Sequence, residues 1–161
     1  MSNVDIERLG IYWNPRTERV VIPIRNDAGD LIYWQARTLD PTNPKKYLNP
    51  HVSKTSLLAK YGDGAAIVLT EDILSAYRVS RCGVAGWCLM GTKLNDHTAT
   101  ELIRSGKPVI VWLDPDKAGQ TARRSIIRDL RDYGVPARKV VSAKDPKLLS
   151  RAQIDAALEI V

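Results

Sequence analysis

The stretch VIVWLDPDKAG, residues 109–119, ends a run of apolar residues on two aspartates, Asp114 and Asp116. One acid after a strand is ordinary turn chemistry. Two at i and i+2, where a strand meets a helix, form a pair of hard oxygen donors. Glu71 directly follows another apolar run, AAIVLT, and Asp145 follows a third, ARKVVSA, in the sequence KDP. Oxygen donors without His or Cys suit Mg²⁺ or Mn²⁺, which also bind phosphate oxygens. Such a cluster can hold two metals for phosphoryl transfer. Each acid also has a plainer reading. Glu71 and Asp116 each begin a helix, where the dipole favours an acid, and Asp145 precedes a proline in a common turn. Recurrence at three of the four strand ends is what favours chemistry over turn-making.

The elements that must position these acids follow from pattern. From residue 65 onward strands and helices alternate: AAIVLT then EDILSAYRVSR, GVAGWCLM then NDHTATELIRSG, KPVIVWLD then DKAGQTARRSIIRDLRDYG, and ARKVVSA then SRAQIDAALEIV. Asn95 is placed to cap the second helix, and Ser150 with Gln153 forms a capping box on the last. Continuously apolar strands, each followed by a helix, predict a parallel sheet covered on both faces. Ligands gather at the carboxyl ends of such strands, which would bring Glu71, Asp114, Asp116 and Asp145 to one edge. The last helix carries an apolar stripe of Ile154, Leu158 and Val161, for a core or for a partner. Upstream, RVVIPIRNDAGDLIYWQART reads as a β-hairpin turning at NDAGD, with Gly29 at a permissive position. LDPTNPKKYLNPHVSK reads as a loop. The expected division is a small β-containing lobe, residues 1–63, and an α/β domain, residues 64–161.

Whole-chain properties narrow the classes. The 161 residues carry a net charge of +6, with a pI near 9.4, which raises the expectation of a polyanionic partner. Cys82 and Cys88 form neither a CxxC pair nor a zinc ribbon, so no zinc is expected. No apolar run is long enough to span a bilayer and the start has no signal-peptide pattern, so a cytoplasmic protein without a membrane role is expected. Arg124, Arg128 and Arg131 share a helix face that could touch a phosphate backbone, or could simply be solvated. Trp87 and Trp112 fall in core strands, whereas Trp34 on the hairpin is open to either role. Gly91 and Thr92 could bring backbone N–H groups to a phosphate.

The order Glu71, then LDPDKAG, then KDP after one more strand resembles the Toprim domain of primases, topoisomerases and related nucleases. RVVIPIRNDAGDLIYWQART followed by PKKYLNP is similar to the start of the RNA-polymerase domain of bacterial and phage primases, and VLTEDILSAYRVSR to the phage versions. The resemblance implies an α/β Toprim core, a Rossmann-like parallel sheet with flanking helices, behind a small β-containing lobe. It implies DNA-templated synthesis of RNA primers with Mg²⁺ or Mn²⁺, in phage replication and hence in a host cytoplasm. Glu71, Asp114 and Asp116 would be catalytic, and together with Asp145 would hold the metal. Arg37, Lys45, Lys46, Asn49, Lys117 and Lys144 would face nucleotide or nucleic acid, although Lys45 and Lys46 could equally be a solvated pair. The partners implied are a single-stranded DNA template, ribonucleoside triphosphates and a separate replicative helicase, since the sequence has no P-loop. Two departures stand out. Ser75 occupies the place of a second family acid, with Asp72 nearby but pointing about a turn elsewhere, and the chain has too few cysteines for the family's zinc-binding domain. The rival readings are a Toprim nuclease using the same acids and a non-catalytic nucleic-acid or replisome-docking module.

Overall fold

A computed structural model describes residues 2–159. It divides into two compact units, one up to Ser53 and one from Lys54 onward.

The first unit opens with helix α1 (Asn3–Leu9), capped reciprocally by Ser2 and Asp5. Strands β1 (Tyr12–Asn14), β2 (Arg19–Arg25), β3 (Leu31–Thr38) and β4 (Tyr47–Leu48) then form an antiparallel sheet in chain order. The predicted hairpin is β2 and β3. Its turn is tied by Asn26, whose Oδ1 accepts from the N–H groups of Ala28 and Asp30 at 3.0 and 2.8 Å. Gly29 there has φ 87°, a left-handed conformation that glycine adopts without steric cost. The proline-rich stretch expected as a loop contributes β4. Tyr47 and Leu48 pair with Arg37 and Ala36, giving the outer edge of β3 the backbone partners it would otherwise lack.

In the second unit, β5 (Ala59–Tyr61), β6 (Ile67–Thr70), β7 (Ala85–Cys88), β8 (Val109–Val111) and β9 (Ala137–Lys139) form a sheet in the order β5-β7-β6-β8-β9. The last four strands run parallel and β5 is antiparallel to β7. The division therefore falls ahead of the expected residue 63. Ala59 and Lys60 are register partners of Cys88 and Trp87, which attaches the segment to the second sheet.

Helices α2 (Ile73–Ser80), α3 (Asp96–Ser105), α4 (Lys117–Asp132) and α5 (Arg151–Glu159) cover both faces. Strand side chains alternate between faces. Ile67, Leu69, Val109, Val111 and Leu113 pack with Leu102 of α3 and with Ile126 and Leu130 of α4. Val68, Ile110 and Trp112 pack with Val79 of α2 and Ile154 of α5. All five residues from Val109 to Leu113 are at most 4% exposed, which explains why this run is apolar without interruption. Trp112 is core, as expected, and its indole N–H donates to Ser142 Oγ at 2.8 Å. Asn95 caps α3, and the Ser150–Gln153 box opens α5. Ile154 and Leu158 of the terminal stripe pack into the core, and Val161 lies outside the described residues. Among the described residues no helix is long and apolar enough to cross a membrane.

Helix α2 lies so close to β7 that a Cβ on Gly86 would collide with the carbonyl oxygen of Ala76. Gly86→Ala is expected to destabilise the chain by about 2–4 kcal/mol. Gly83→Ala, at φ 79° with open space around the new methyl, should cost only about 1 kcal/mol. Urea unfolding of the two variants beside the parent checks the contrast.

Candidate active site

Strands β6 and β8 are neighbours, but the helices that follow them, α2 and α4, pack on opposite faces of the sheet. The winding reverses there, and such a reversal opens a crevice at the carboxyl ends of the two strands. Glu71 immediately follows β6, and Asp114 follows the buried Trp112–Leu113 extension of β8. The Asp114 N–H donates to Glu71 Oε1 at 3.1 Å, joining the two strand ends.

Asp116 is the N-cap of α4, its Oδ1 accepting from the Gly119 N–H at 2.7 Å. Gly119 is buried. A Cβ on it would lie 2.6 Å from Glu71 Oε1 and would collide with the Asp114 carbonyl oxygen. The first turn of α4 can close over the acids only with glycine at this point, which accounts for the last letter of LDPDKAG.

Two expectations about the first acids are corrected. Asp72, not Glu71, caps α2, accepting at Oδ1 from the N–H groups of Leu74 and Ser75. Nor does Asp72 point away. Its Oδ2 accepts from Ser75 Oγ at 2.7 Å and from Lys147 Nζ at 3.0 Å. Ser75 is fully buried and also accepts from the Lys147 backbone N–H at 3.3 Å, so the residue in place of an acid ties two segments together.

Lys147 was not among the predicted residues. It sits in a short 3-10 helix, Pro146–Leu148, and its ammonium also meets Asp145 Oδ2 at 2.7 Å. The available signal was a lone cation two residues beyond Asp145, inside a segment chosen for its carboxylate. Burial works against its charge, but hydrogen bonds to Asp145 and Asp72, together with the charges of Asp72 and Asp114, outweigh that and hold its pKa well above the usual lysine value.

Burial is also the main reason that Glu71 is pushed up to about 7, with the charges of Asp114, Asp116 and Asp72 adding to it against the hydrogen bond from Asp114. Asp114 is raised as well, first by burial and then by Asp145, Asp72 and Asp116, with Lys147 opposing. Asp114 Oδ1 is buried and accepts no hydrogen bond. Among the described residues, no three His, Cys, Asp or Glu side chains are already gathered as a group that could hold a metal ion. Lys147 engages Asp72 and Asp145, and Asp116 spends one oxygen on its cap. What remains is hard oxygen chemistry at Glu71 and Asp114 with one buried oxygen unsatisfied, and this fits Mg²⁺ or Mn²⁺.

The other predicted residues fall in separate places. Arg37, Lys45, Lys46 and Asn49 belong to the first unit. The Arg37 guanidinium lies over the Tyr47 ring, 5.6 Å from its centroid, and Asn49 Oδ1 is buried without a partner. Lys45 and Lys46 are exposed. Lys117 begins α4 and Lys144 precedes Asp145, both exposed. The Gly91 N–H is not available to a phosphate, because it donates to the Glu71 carbonyl oxygen at 3.1 Å. Arg128 pairs with Asp129, and Arg131 donates to the carbonyl oxygen of Ala137.

The fold is an α/β domain with acids at the carboxyl edge of a mainly parallel sheet. Residues 60–141 match the Toprim domain family, and the chain belongs to it. It is 30% identical over 127 residues, 71% of its length, to the DNA primase of Thermotoga maritima, and 30% identical over 142 residues to that of Deinococcus radiodurans, 80% of its length. The chain spans 22% and 25% of the lengths of these two relatives. Among solved structures, a DnaG primase catalytic domain bound to ssDNA superposes with a TM-score of 0.78 at 21% identity, covering 99% of this chain and 68% of that one. The predicted α/β Toprim architecture is thus the observed one.

A carboxyl group whose folded pKa is raised from 4.5 to about 7 costs stability once it is ionised in the folded chain. Its contribution is intact below the unfolded value and declines as pH rises through the folded one. With divalent ions chelated, Glu71→Gln is expected to gain on the parent by about 1 kcal/mol between about pH 5 and about pH 8, after discounting for solvent screening. Urea unfolding of both proteins at the two pH values measures this difference.

Proposed function

We propose that this chain carries the catalytic centre of a DNA primase, joining ribonucleotides into short RNA primers on a single-stranded DNA template. The observation that carries the reading is the pairing of Glu71 with Asp114 at the switch point of a Toprim fold, with a buried carboxylate oxygen left unsatisfied. The relatives named DNA primase and the solved DnaG domain bound to ssDNA support the choice of reaction. The net charge of +6 suits a nucleic-acid partner.

In this reading Glu71, Asp114 and Asp116 hold Mg²⁺ or Mn²⁺, and Asp145 orients Lys147 beside them. A bound divalent ion would activate the primer 3′-hydroxyl and neutralise charge on the α-phosphate and the departing pyrophosphate. Glu71 would serve either as a ligand of that ion or as the base that takes up the hydroxyl proton. Asp116, fixed by its cap, keeps its second oxygen for the centre. Arg37, Lys45, Lys46, Asn49, Lys117 and Lys144 are assigned to nucleotide phosphates and template backbone. A separate replicative helicase, in phage replication, completes the proposal.

A nuclease reading uses the same acids, so the products must separate the two. The chain is incubated with mixed-sequence single-stranded DNA, labelled ribonucleoside triphosphates, Mg²⁺ and Mn²⁺. The expected result is a ladder of short labelled RNAs that is lost, by at least about 100-fold, in the Asp114→Asn/Asp116→Asn protein. Shortened DNA would assign a nuclease. DNA retained on the protein without any product would assign a binding module.

A further inference from the structure

The acids at the carboxyl edge divide into two sets by what they touch. Asp72 and Asp145 both meet the Lys147 ammonium, at 3.0 and 2.7 Å. Asp72 has no spare oxygen, because Oδ1 caps α2 and Oδ2 already accepts from Ser75 Oγ as well as from Lys147. Among the described residues Glu71, Asp114 and Asp116 make no ion pair with Lys147, although its charge reaches Asp114 through space. Glu71 and Asp116 each accept from a backbone N–H group, and Asp114 Oδ1 is buried without a partner.

The lysine is built into its position. Pro146 fixes the turn that carries it, its backbone N–H is held by the buried Ser75 hydroxyl, and its side chain is only about a quarter exposed. A side chain of this kind loses less on docking than an exposed, freely rotating lysine. It delivers a single positive charge to two carboxylates, which is the charge-balancing part of what a second metal does in a two-ion phosphoryl-transfer site.

We propose that Lys147 stands in for a second cation, so that the centre takes one divalent ion, on the side of Glu71, Asp114 and Asp116. The inference rests on the reading of these acids as a metal centre and deepens it. Neutralising Lys147 should remove the cation from Asp145 and free one acceptor position on Asp72 Oδ2, leaving two neighbouring carboxylates without a counter-charge, an arrangement that hard cations bind well.

The test is a Mn²⁺ binding isotherm on the full chain, read from the spectroscopic signal of free Mn²⁺, for the parent, Lys147→Met and Lys147→Arg. One ion is expected for the parent and for Lys147→Arg, and two for Lys147→Met. Thermal melts of the same proteins give a second readout, in which added Mn²⁺ should raise the midpoint more for Lys147→Met than for the parent. If Lys147→Met is unfolded without metal, Mn²⁺ is expected to restore its folded signal, and failure to do so overturns the inference. A Lys147→Met isotherm identical to the parent's overturns it too, as does a parent that already binds two ions, and both leave the metal centre standing. A parent that binds no Mn²⁺ removes the metal centre and this inference together.

Discussion

Five carboxylates converge where this chain reverses its winding, and their mutual repulsion is the constraint around which the second unit is organised. The charges of Asp114, Asp116 and Asp72 add to burial in holding Glu71 above its ordinary value, and those of Asp145, Asp72 and Asp116 do the same for Asp114. The chain contains the repulsion by three separate means. Lys147 takes Asp72 and Asp145. Helix N-termini take one oxygen each from Asp72 and Asp116. Burial and neighbouring charge keep Glu71 close to a protonated state near neutral pH. The repulsion left over is what a hard divalent ion would relieve.

Holding charged groups in opposition requires a rigid mount, and the strands provide it. Val109 to Leu113 send side chains alternately into two cores, one under α3 and α4 and the other under α2 and α5. A strand anchored on both faces cannot tilt to relieve strain at its end without opening both cores. Close approaches extend that rigidity. Gly86 lets α2 sit directly on β7, and Gly119 lets the start of α4 close over Glu71. The Gly91 N–H ties the loop after β7 to the Glu71 carbonyl oxygen, so Glu71 is held through its backbone as well as its carboxylate.

The parallel sheet was legible because long apolar runs followed by capped helices have few other outcomes, and the positions of Glu71, Asp114 and Asp116 followed from where those runs stop. What escaped was set by partners distant in sequence. Short β4 and β5 are defined by the edges they pair with rather than by any periodicity of two or three residues. Asp72 looked misdirected because helical spacing alone ignores Lys147, which lies 75 residues further on. Gly91 looked like a phosphate contact because its N–H acceptor, the Glu71 carbonyl, is not local either. Lys147 itself carried no pattern, since a single lysine after KDP is indistinguishable from a solvated one until the sheet brings Asp72 beside it.

The caps carry a further consequence for chemistry. In the proposed centre Asp116 would divide two duties between its oxygens, one capping α4 and the other left for a ligand. Its hydrogen bond from Gly119 fixes the plane of the carboxylate, so the second oxygen is oriented before any ligand arrives. Glu71 follows the same logic, with Oε1 held by the Asp114 N–H. Orientation by backbone N–H groups costs no side-chain entropy at the moment of binding, and in the proposed centre it would fix the ligands as outer-shell hydrogen bonds do in metal sites. The local sequence that looked like simple helix punctuation, LDPDKAG, therefore performs both tasks: the turn that starts α4 is also the device that aims the acids.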